Sequence, residues 1–138
     1  MLDRVAGPDF TALREAAGRF GDARLIVLFG SVARGAAMPF SDADIGVAGV
    51  PFWRGLEIGA ALAAALGREP HVVDLDETSE WLRFEVARDG VLLHAGAPDA
   101  WPRFQAEAAV RYFDLAPIIA RCAEGVRRRL GHGEGGHG

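Results

Sequence analysis

The sequence contains a single cysteine, Cys122, among its 138 residues, so it cannot form an internal disulfide bond. Its first residues also lack the succession of basic, apolar and small residues that marks a signal peptide. Both absences are typical of proteins that fold in a reducing compartment. We therefore expect a cytoplasmic protein.

Long apolar runs and an excess of basic charge are missing as well. Arginine, aspartate or glutamate interrupts every apolar stretch before it reaches the roughly 20 residues that span a bilayer, so we expect no membrane segment. The 15 basic and 19 acidic residues give a formal net charge of −4. Direct binding to nucleic acid requires a broad positive surface, and we expect none here.

What is present is the composition of an ordinary globular domain, 50% apolar and 25% charged. The length suits one domain, which we assign to residues 1–130. Residues 131–138 form a Gly- and His-rich tail that we expect to be flexible. Helical and strand-like patterns alternate along the domain, which favours an α/β or α+β fold.

Apolar runs predict strands at 24–29, 42–48, 71–76 and 91–93, the last at a sheet edge. Helical spacing predicts a capped helix that follows Pro8 and Asp9 and ends at Gly21. It also predicts helices at 53–67 and 78–88, the latter capped by Thr78. A long final helix follows Pro98 and Asp99, and Pro117 should kink it or divide it in two. Its apolar stripe, expected to be mostly core, comprises Phe104, Ala108, Tyr112, Leu115, Ile119, Cys122, Val126 and Leu130.

The Gly30-Ser31 pair ends the first predicted strand abruptly. Glycine lets the backbone turn closely, and serine offers a hydroxyl and an amide at the start of a helical turn, where N–H groups favour anions. This pattern predicts a small phosphate-binding turn. It is not a P-loop and not the GxGxxG dinucleotide fingerprint, because the residues those motifs require are absent.

Asp42 and Asp44 lie on the second predicted strand, nine residues and a serine after Ser31. Side chains alternate along a strand, so both carboxylates should project from one face. Two adjacent carboxylates repel each other unless a cation compensates their charge, and magnesium commonly binds through one or two carboxylates together with substrate phosphates. These aspartates are our candidate metal ligands.

A third carboxylate, Asp74, lies on the next predicted strand, with Asp76 on the same face as its competitor. Three carboxylates suit phosphoryl transfer, in which two metal ions clamp the attacking and leaving oxygens. As hypotheses, Asp74 takes the proton of the acceptor hydroxyl as well as binding metal, and Ser31 holds the departing pyrophosphate. Arg34 is a secondary candidate for contact with phosphate or acceptor.

These residues resemble the hallmark of the nucleotidyltransferase superfamily, which is a Gly-Ser, a loop, an Asp-x-Asp on the adjacent strand and a third Asp further on. More narrowly, four segments look like the minimal nucleotidyltransferase (MNT) antitoxin group, and the likeness spans roughly residues 20–115. The segments are Gly30-Ser31-Val32-Ala33-Arg34-Gly35, Ser41-Asp42-Ala43-Asp44-Ile45-Gly46-Val47, Val73-Asp74-Leu75 and Arg88-Asp89-Gly90-Val91-Leu92-Leu93.

The resemblance implies a nucleotidyltransferase fold, with a mixed β-sheet flanked by helices and a C-terminal helical segment. It also implies ATP as substrate, magnesium as cofactor, and transfer of AMP to a tyrosine of a HEPN-domain ribonuclease toxin. The sequence leaves open whether the chain forms a homo- or hetero-oligomer. Two alternatives stay open at this point. One is a non-catalytic antitoxin that covers its toxin, and the other is a small-molecule nucleotidyltransferase similar to the aminoglycoside-modifying enzymes.

Overall fold

The computed structural model describes residues 8–135 of the chain. Five helices alternate with four strands in it. In chain order they are α1 (Phe10–Ala17), β1 (Leu25–Phe29), α2 (Gly30–Ala33), β2 (Ala43–Ala48), α3 (Phe52–Leu66), β3 (Pro70–Asp74), α4 (Glu80–Asp89), β4 (Val91–Ala95) and α5 (Ala100–Gly135). The four predicted strands and the predicted helices are thereby confirmed, with small shifts of their bounds.

The four strands form one sheet in the order β3-β2-β1-β4. β1 pairs antiparallel with both β2 and β4, whereas β2 and β3 run parallel. The parallel pair is possible because α3 carries the chain back across the sheet between the two strands. The sheet is therefore mixed, as expected, and β4 lies at an edge.

Helices cover both faces of the sheet. Alternating side chains of the central strand β1 divide between two cores, with Ile26 and Leu28 on one face and Leu25, Val27 and Phe29 on the other. The first core includes residues of α1 and α3, and the second includes residues of α4 and α5. All five residues of β1 are buried, which explains why its sequence is a continuous apolar run.

Side-chain caps fix where two of the helices begin. Asp9 accepts a hydrogen bond from the Ala12 amide through Oδ1 (3.1 Å) and so caps α1, as the sequence predicts. α4 is capped by Ser79, whose hydroxyl accepts from the Leu82 amide (3.1 Å). The prediction of Thr78 as this cap is wrong by one residue, because α4 begins at Glu80 and the residue directly before it is Ser79. Thr78 belongs to the preceding turn, where its amide donates to the Asp74 carbonyl (3.0 Å).

The sequence predicts either a kink or a division at Pro117. The final helix α5 continues through this residue, so the division does not occur. Proline removes one backbone hydrogen bond, and the neighbouring turns maintain the helix around it. Phe104 and Ala108 are buried as predicted, whereas Cys122 is exposed and not part of the core. The side chains of Leu115, Ile119, Val126 and Leu130, predicted in the same stripe, lie outside the described residues.

The helix also includes residues 131–135 of the predicted tail, and residues 136–138 lie outside the described part of the chain. Within residues 8–135, no helix combines the length and the apolar character needed to cross a membrane.

Candidate active site

The end of β1 lies directly beside the beginning of β2, because the two strands are antiparallel neighbours. Phe29, the last residue of β1, pairs with Asp44 near the start of β2, and α2 begins at the next residue, Gly30. The Gly-Ser pair and the Asp-x-Asp pair are separated in sequence by a loop. The fold brings them together where β1 ends and β2 begins.

Gly30 and Asp44 approach each other so closely that a side chain at position 30 would displace the Asp44 carboxylate. A Cβ placed on Gly30 would overlap Oδ2 of Asp44 and come within 3.2 Å of the Asp44 Cβ. Gly30 also has a φ of +76°, a backbone conformation that costs other residues roughly 1–2 kcal/mol. Gly30 therefore permits both the turn after β1 and the approach of the Asp44 carboxylate to it.

Ser31 lies in the first turn of α2 and is half-buried. The turn is held by backbone hydrogen bonds, from the Arg34 amide to the Gly30 carbonyl (3.1 Å) and from the Ala36 amide to the Ser31 carbonyl (2.9 Å). The first N–H groups of a helix have no carbonyl partner within it and attract anions. The phosphate-binding role of Gly30 and Ser31 stays a prediction, for which this local structure is suitable.

The two aspartates of the Asp-x-Asp pair differ in their surroundings. Ala43 and Ile45 are buried in the core beneath α1 and α3, so Asp44 projects from the opposite face. The Asp44 side chain is only 23% exposed. Asp42, immediately before β2, is exposed and forms no side-chain hydrogen bond or ion pair with the residues the structure describes.

A histidine that sequence reasoning did not select is the direct neighbour of Asp44. His71 pairs with Asp44 across the parallel β2–β3 ladder, and its Nδ1 lies 2.7 Å from Asp44 Oδ1. Because an ionised carboxylate only accepts hydrogen bonds, Nδ1 is the donor. The sequence contains the histidine at the start of the third predicted strand, but its partner depends on the register between the strands.

The register also corrects the prediction for Asp74. β3 lies beside β2 as that prediction required, but Asp74 pairs with Val47, three residues beyond Asp44. Three residues correspond to about 10 Å along a strand and reverse the face from which the side chain projects. Asp74 therefore lies on the α3 side of the sheet, away from Asp44, where its Oδ1 accepts a hydrogen bond from the Asp76 amide (3.0 Å) at the turn after β3.

Asp76, the alternative third carboxylate, is also distant from the Asp-x-Asp pair. It forms an ion pair with Arg24, the residue before β1, and accepts a hydrogen bond from the Gly49 amide after β2 (2.8 Å). These partners lie at the opposite ends of β1 and β2 from Gly30 and Asp44. Neither Asp74 nor Asp76 completes a carboxylate triad in this structure.

Arg34 is exposed at the end of α2. Its charge has a small effect on Asp89, whose pKa is lowered mainly by hydrogen bonds from Arg88 and to a smaller extent by Arg34. Arg34 thus lies near the end of α4 at the same edge of the sheet. The structure shows no hydrogen bond from it to Asp42 or Asp44.

The loop between α2 and Asp42 is held by Arg68, which follows α3. One terminal nitrogen of Arg68 donates to the carbonyls of Met38 (2.9 Å) and Ser41 (2.7 Å). Ser41 closes the loop by accepting from the Met38 amide through its hydroxyl (2.9 Å). Two apolar side chains of the loop, Met38 and Phe40, are exposed, Phe40 to 84%.

The carboxylate oxygens at the start of β2 are suitable ligands for a magnesium ion whose remaining coordination positions the substrate fills. Among the described residues, no group of three or more His, Cys, Asp or Glu side chains surrounds a point where a metal could bind. Magnesium usually keeps several waters and takes one or two carboxylates plus phosphate oxygens. Asp42 and Asp44, next to a turn suited to phosphate, supply that smaller set.

Comparisons with known proteins identify the family and the fold. A family model described as polymerase beta, nucleotidyltransferase matches residues 12–98. A chain from a toxin–antitoxin crystal structure with AMP-PNP is 23% identical, with a TM-score of 0.72, over 87% of this chain and 99% of that chain. No protein of curated function matches the sequence.

Two further solved structures have a similar fold. One is a complex of a tri-AMPylated Shewanella oneidensis HEPN toxin with an MNT antitoxin, matched at 22% identity and a TM-score of 0.66 over 86% of this chain and 99% of that chain. The other is a candidate minimal nucleotidyltransferase, 31% identical with a TM-score of 0.50 over 61% of this chain and 95% of that chain. The similarities below 25% identity establish the fold alone.

Proposed function

Because this chain belongs to the polymerase beta nucleotidyltransferase family, we propose that it transfers AMP from ATP to a hydroxyl group, with magnesium as cofactor. The acceptor that we propose is a tyrosine of a HEPN-domain toxin, which the modification inactivates. The protein then acts as the antitoxin of a toxin–antitoxin pair.

The contact between Gly30 and Asp44 is the observation that carries this proposal. It joins a turn suited to phosphate and a carboxylate suited to magnesium at one point, and the space between them excludes even a Cβ. Nucleotidyl transfer needs both functions side by side, because the metal must contact the same phosphates that the protein holds. Neither motif alone requires that proximity.

Each residue has a role in the proposed reaction. The Ser31 hydroxyl and the first amides of α2 hold the β- and γ-phosphates, and Asp42 and Asp44 hold magnesium. A magnesium ion held by these carboxylates would supply positive charge to compensate the phosphates and the departing pyrophosphate. The acceptor oxygen forms a bond to the α-phosphorus as the bond to the pyrophosphate oxygen breaks, and the proton of the acceptor hydroxyl passes to solvent water. Asp74 is not proposed as the base that takes the acceptor proton, because it lies on the other face of the sheet.

The proposed acceptor is supported by the solved structures of similar fold. One of them contains a tri-AMPylated HEPN toxin, and another contains AMP-PNP in a toxin–antitoxin complex. This chain covers nearly the whole length of the matched chains in both structures. The exposed Met38 and Phe40, in the loop that leads to Asp42, provide apolar surface for contact with a protein acceptor.

Mass spectrometry of the protein encoded by the neighbouring gene tests the proposal, after incubation with this chain, ATP and magnesium. We expect mass increases of whole AMP units, which Asp44→Asn abolishes. Asp74→Asn is the matched control, because it makes the same change of charge on the neighbouring strand and retains the oxygen that accepts from Asp76.

Three outcomes would contradict parts of the proposal. Full modification by Asp44→Asn would remove the aspartate pair from the active site. Loss of activity in Asp74→Asn, with Asp44→Asn still active, would place the site on the other face. A toxin that is neutralised without any mass change, by the wild type and both variants alike, would show an antitoxin that acts only by binding.

A further inference from the structure

We propose that His71 is a positioning residue of the metal site, which fixes the Asp44 carboxylate so that Oδ2 faces the phosphate-binding turn. The inference rests on the proposed function and adds a residue to it. It concerns the side chain that occupies the place beside Asp44 where the sequence led us to expect a third carboxylate.

The two oxygens of Asp44 have different environments. Oδ1 lies 2.7 Å from His71 Nδ1, and Oδ2 lies against Gly30. A hydrogen bond to one oxygen fixes the rotation of the carboxylate about its terminal bond. With Oδ1 engaged, Oδ2 is the oxygen left for an ion that also contacts phosphate at Gly30 and Ser31.

The strand register makes this arrangement specific to position 71. Residues that pair across two parallel strands project from the same face, and His71 is the partner of Asp44. A shift by one residue would pair Pro70 or Val72 with Asp44 and turn His71 to the opposite face. The pairing of the two backbones therefore places the His71 imidazole beside Asp44.

A purely stabilising role does not explain this contact well. The His71 side chain is 59% exposed, and hydrogen bonds and ion pairs at exposed positions contribute little to the free energy of folding. The effect on Asp44 is larger, because Asp44 is 23% exposed and has Gly30 on its other side. Residues that orient metal-binding carboxylates typically change metal affinity by 10–100-fold when mutated.

The experiment measures binding of Mn²⁺, as a probe for magnesium, by electron paramagnetic resonance with and without AMP-PNP. We expect His71→Ala to weaken Mn²⁺ binding by about 10-fold or more. His71→Asn should restore the affinity to within about 3-fold of wild type, because the asparagine amide nitrogen sits where Nδ1 does. His71→Gln, whose amide nitrogen extends to the position of Nε2, should rescue binding less well.

Circular dichroism melting of each variant separates this effect from unfolding, and we expect all three to melt close to the wild type. Wild-type affinity in His71→Ala would overturn the inference, as would equal weakness of His71→Asn and His71→Ala in folded proteins. Strong coupling of directly bound nitrogen to Mn²⁺ would also overturn it, because His71 would then be a metal ligand.

The proposed function fails in a different way. If the wild type binds no Mn²⁺ under either condition, or if Asp44→Asn binds it as tightly as the wild type, the metal site itself is wrong. If Asp44→Asn loses binding and His71→Ala does not, the proposed function stands and only the role of His71 is lost.

Discussion

Gly30 and Asp44 are in contact where β1 ends and β2 begins. The Asp44 side chain fills the volume that a side chain at position 30 would need. This relationship explains why a glycine precedes the serine of the phosphate-binding turn. The turn alone would require only a residue that tolerates positive φ.

Gly30→Ala should therefore abolish nucleotidyl transfer, whereas Gly35→Ala should not. Both glycines have positive φ, +76° and +73°, so each substitution costs roughly 1–2 kcal/mol of backbone strain. Only the Gly30 variant displaces Asp44, because a Cβ on Gly35 has no neighbour within 4 Å. Urea unfolding and AMP transfer measure the two effects, and equal activity of both variants would contradict the role of the Gly30–Asp44 contact.

Arg68→Ala should lower the rate of AMP transfer in protein that remains folded. Arg68 donates to the Met38 and Ser41 carbonyls, and Ser41 directly precedes Asp42. Loss of these hydrogen bonds frees the loop at a cost of about 1–2 kcal/mol, and the position of Asp42 becomes less defined. Arg19→Ala, at an exposed position after α1, is the control. A wild-type rate for Arg68→Ala in the AMP-transfer assay would show that the loop needs no support.

Gly55 and Gly59 on α3 should respond in opposite directions to alanine. A Cβ on Gly55 would make ordinary contacts, 3.6 Å from the Val47 Cβ, so Gly55→Ala should stabilise the protein by up to about 1 kcal/mol through helix propensity. A Cβ on Gly59 would overlap the Val72 side chain, and Gly59→Ala should cost roughly 1–3 kcal/mol. Urea unfolding of the two variants decides, and two stabilised proteins would mean that α3 can move away from β3.

The stability contributed by Asp22 should depend on pH. Two hydrogen bonds from Arg54 hold the pKa of this carboxyl below its ordinary value of 3.8. A carboxyl with a lowered pKa stabilises the fold above its unfolded-state pKa, and that stability is lost as the pH falls through the folded-state pKa. The stability difference between wild type and Asp22→Asn should therefore be largest near neutral pH and shrink by pH 3.

Urea unfolding at both pH values measures this difference for Asp22→Asn. Both side chains are accessible to solvent, so the difference should be small and should fall further in 1 M salt. A difference that grows as the pH falls would show that the ion pair is not the cause.

The order of helices and strands followed from local sequence patterns. The apolar run of β1 and the Asp9 cap of α1 have local causes, and the structure confirms both. The helix prediction for α3 survived its two glycines because the burial of one apolar face outweighs their low propensity. A glycine is required at position 59 because the Val72 side chain approaches α3 closely there, and no local sequence pattern reveals this contact.

The sequence by itself determined the chemical content of the candidate site. Gly30, Ser31, Asp42 and Asp44 are recognisable because residue type and alternation along one strand are local properties. The register between β2 and β3 was decided by the tertiary structure, through the packing of α3 against both strands. A period of two defines only which side chains share a face of one strand, and a slip between strands changes every partner. The tertiary structure therefore placed His71 beside Asp44 and Asp74 on the opposite face of the sheet.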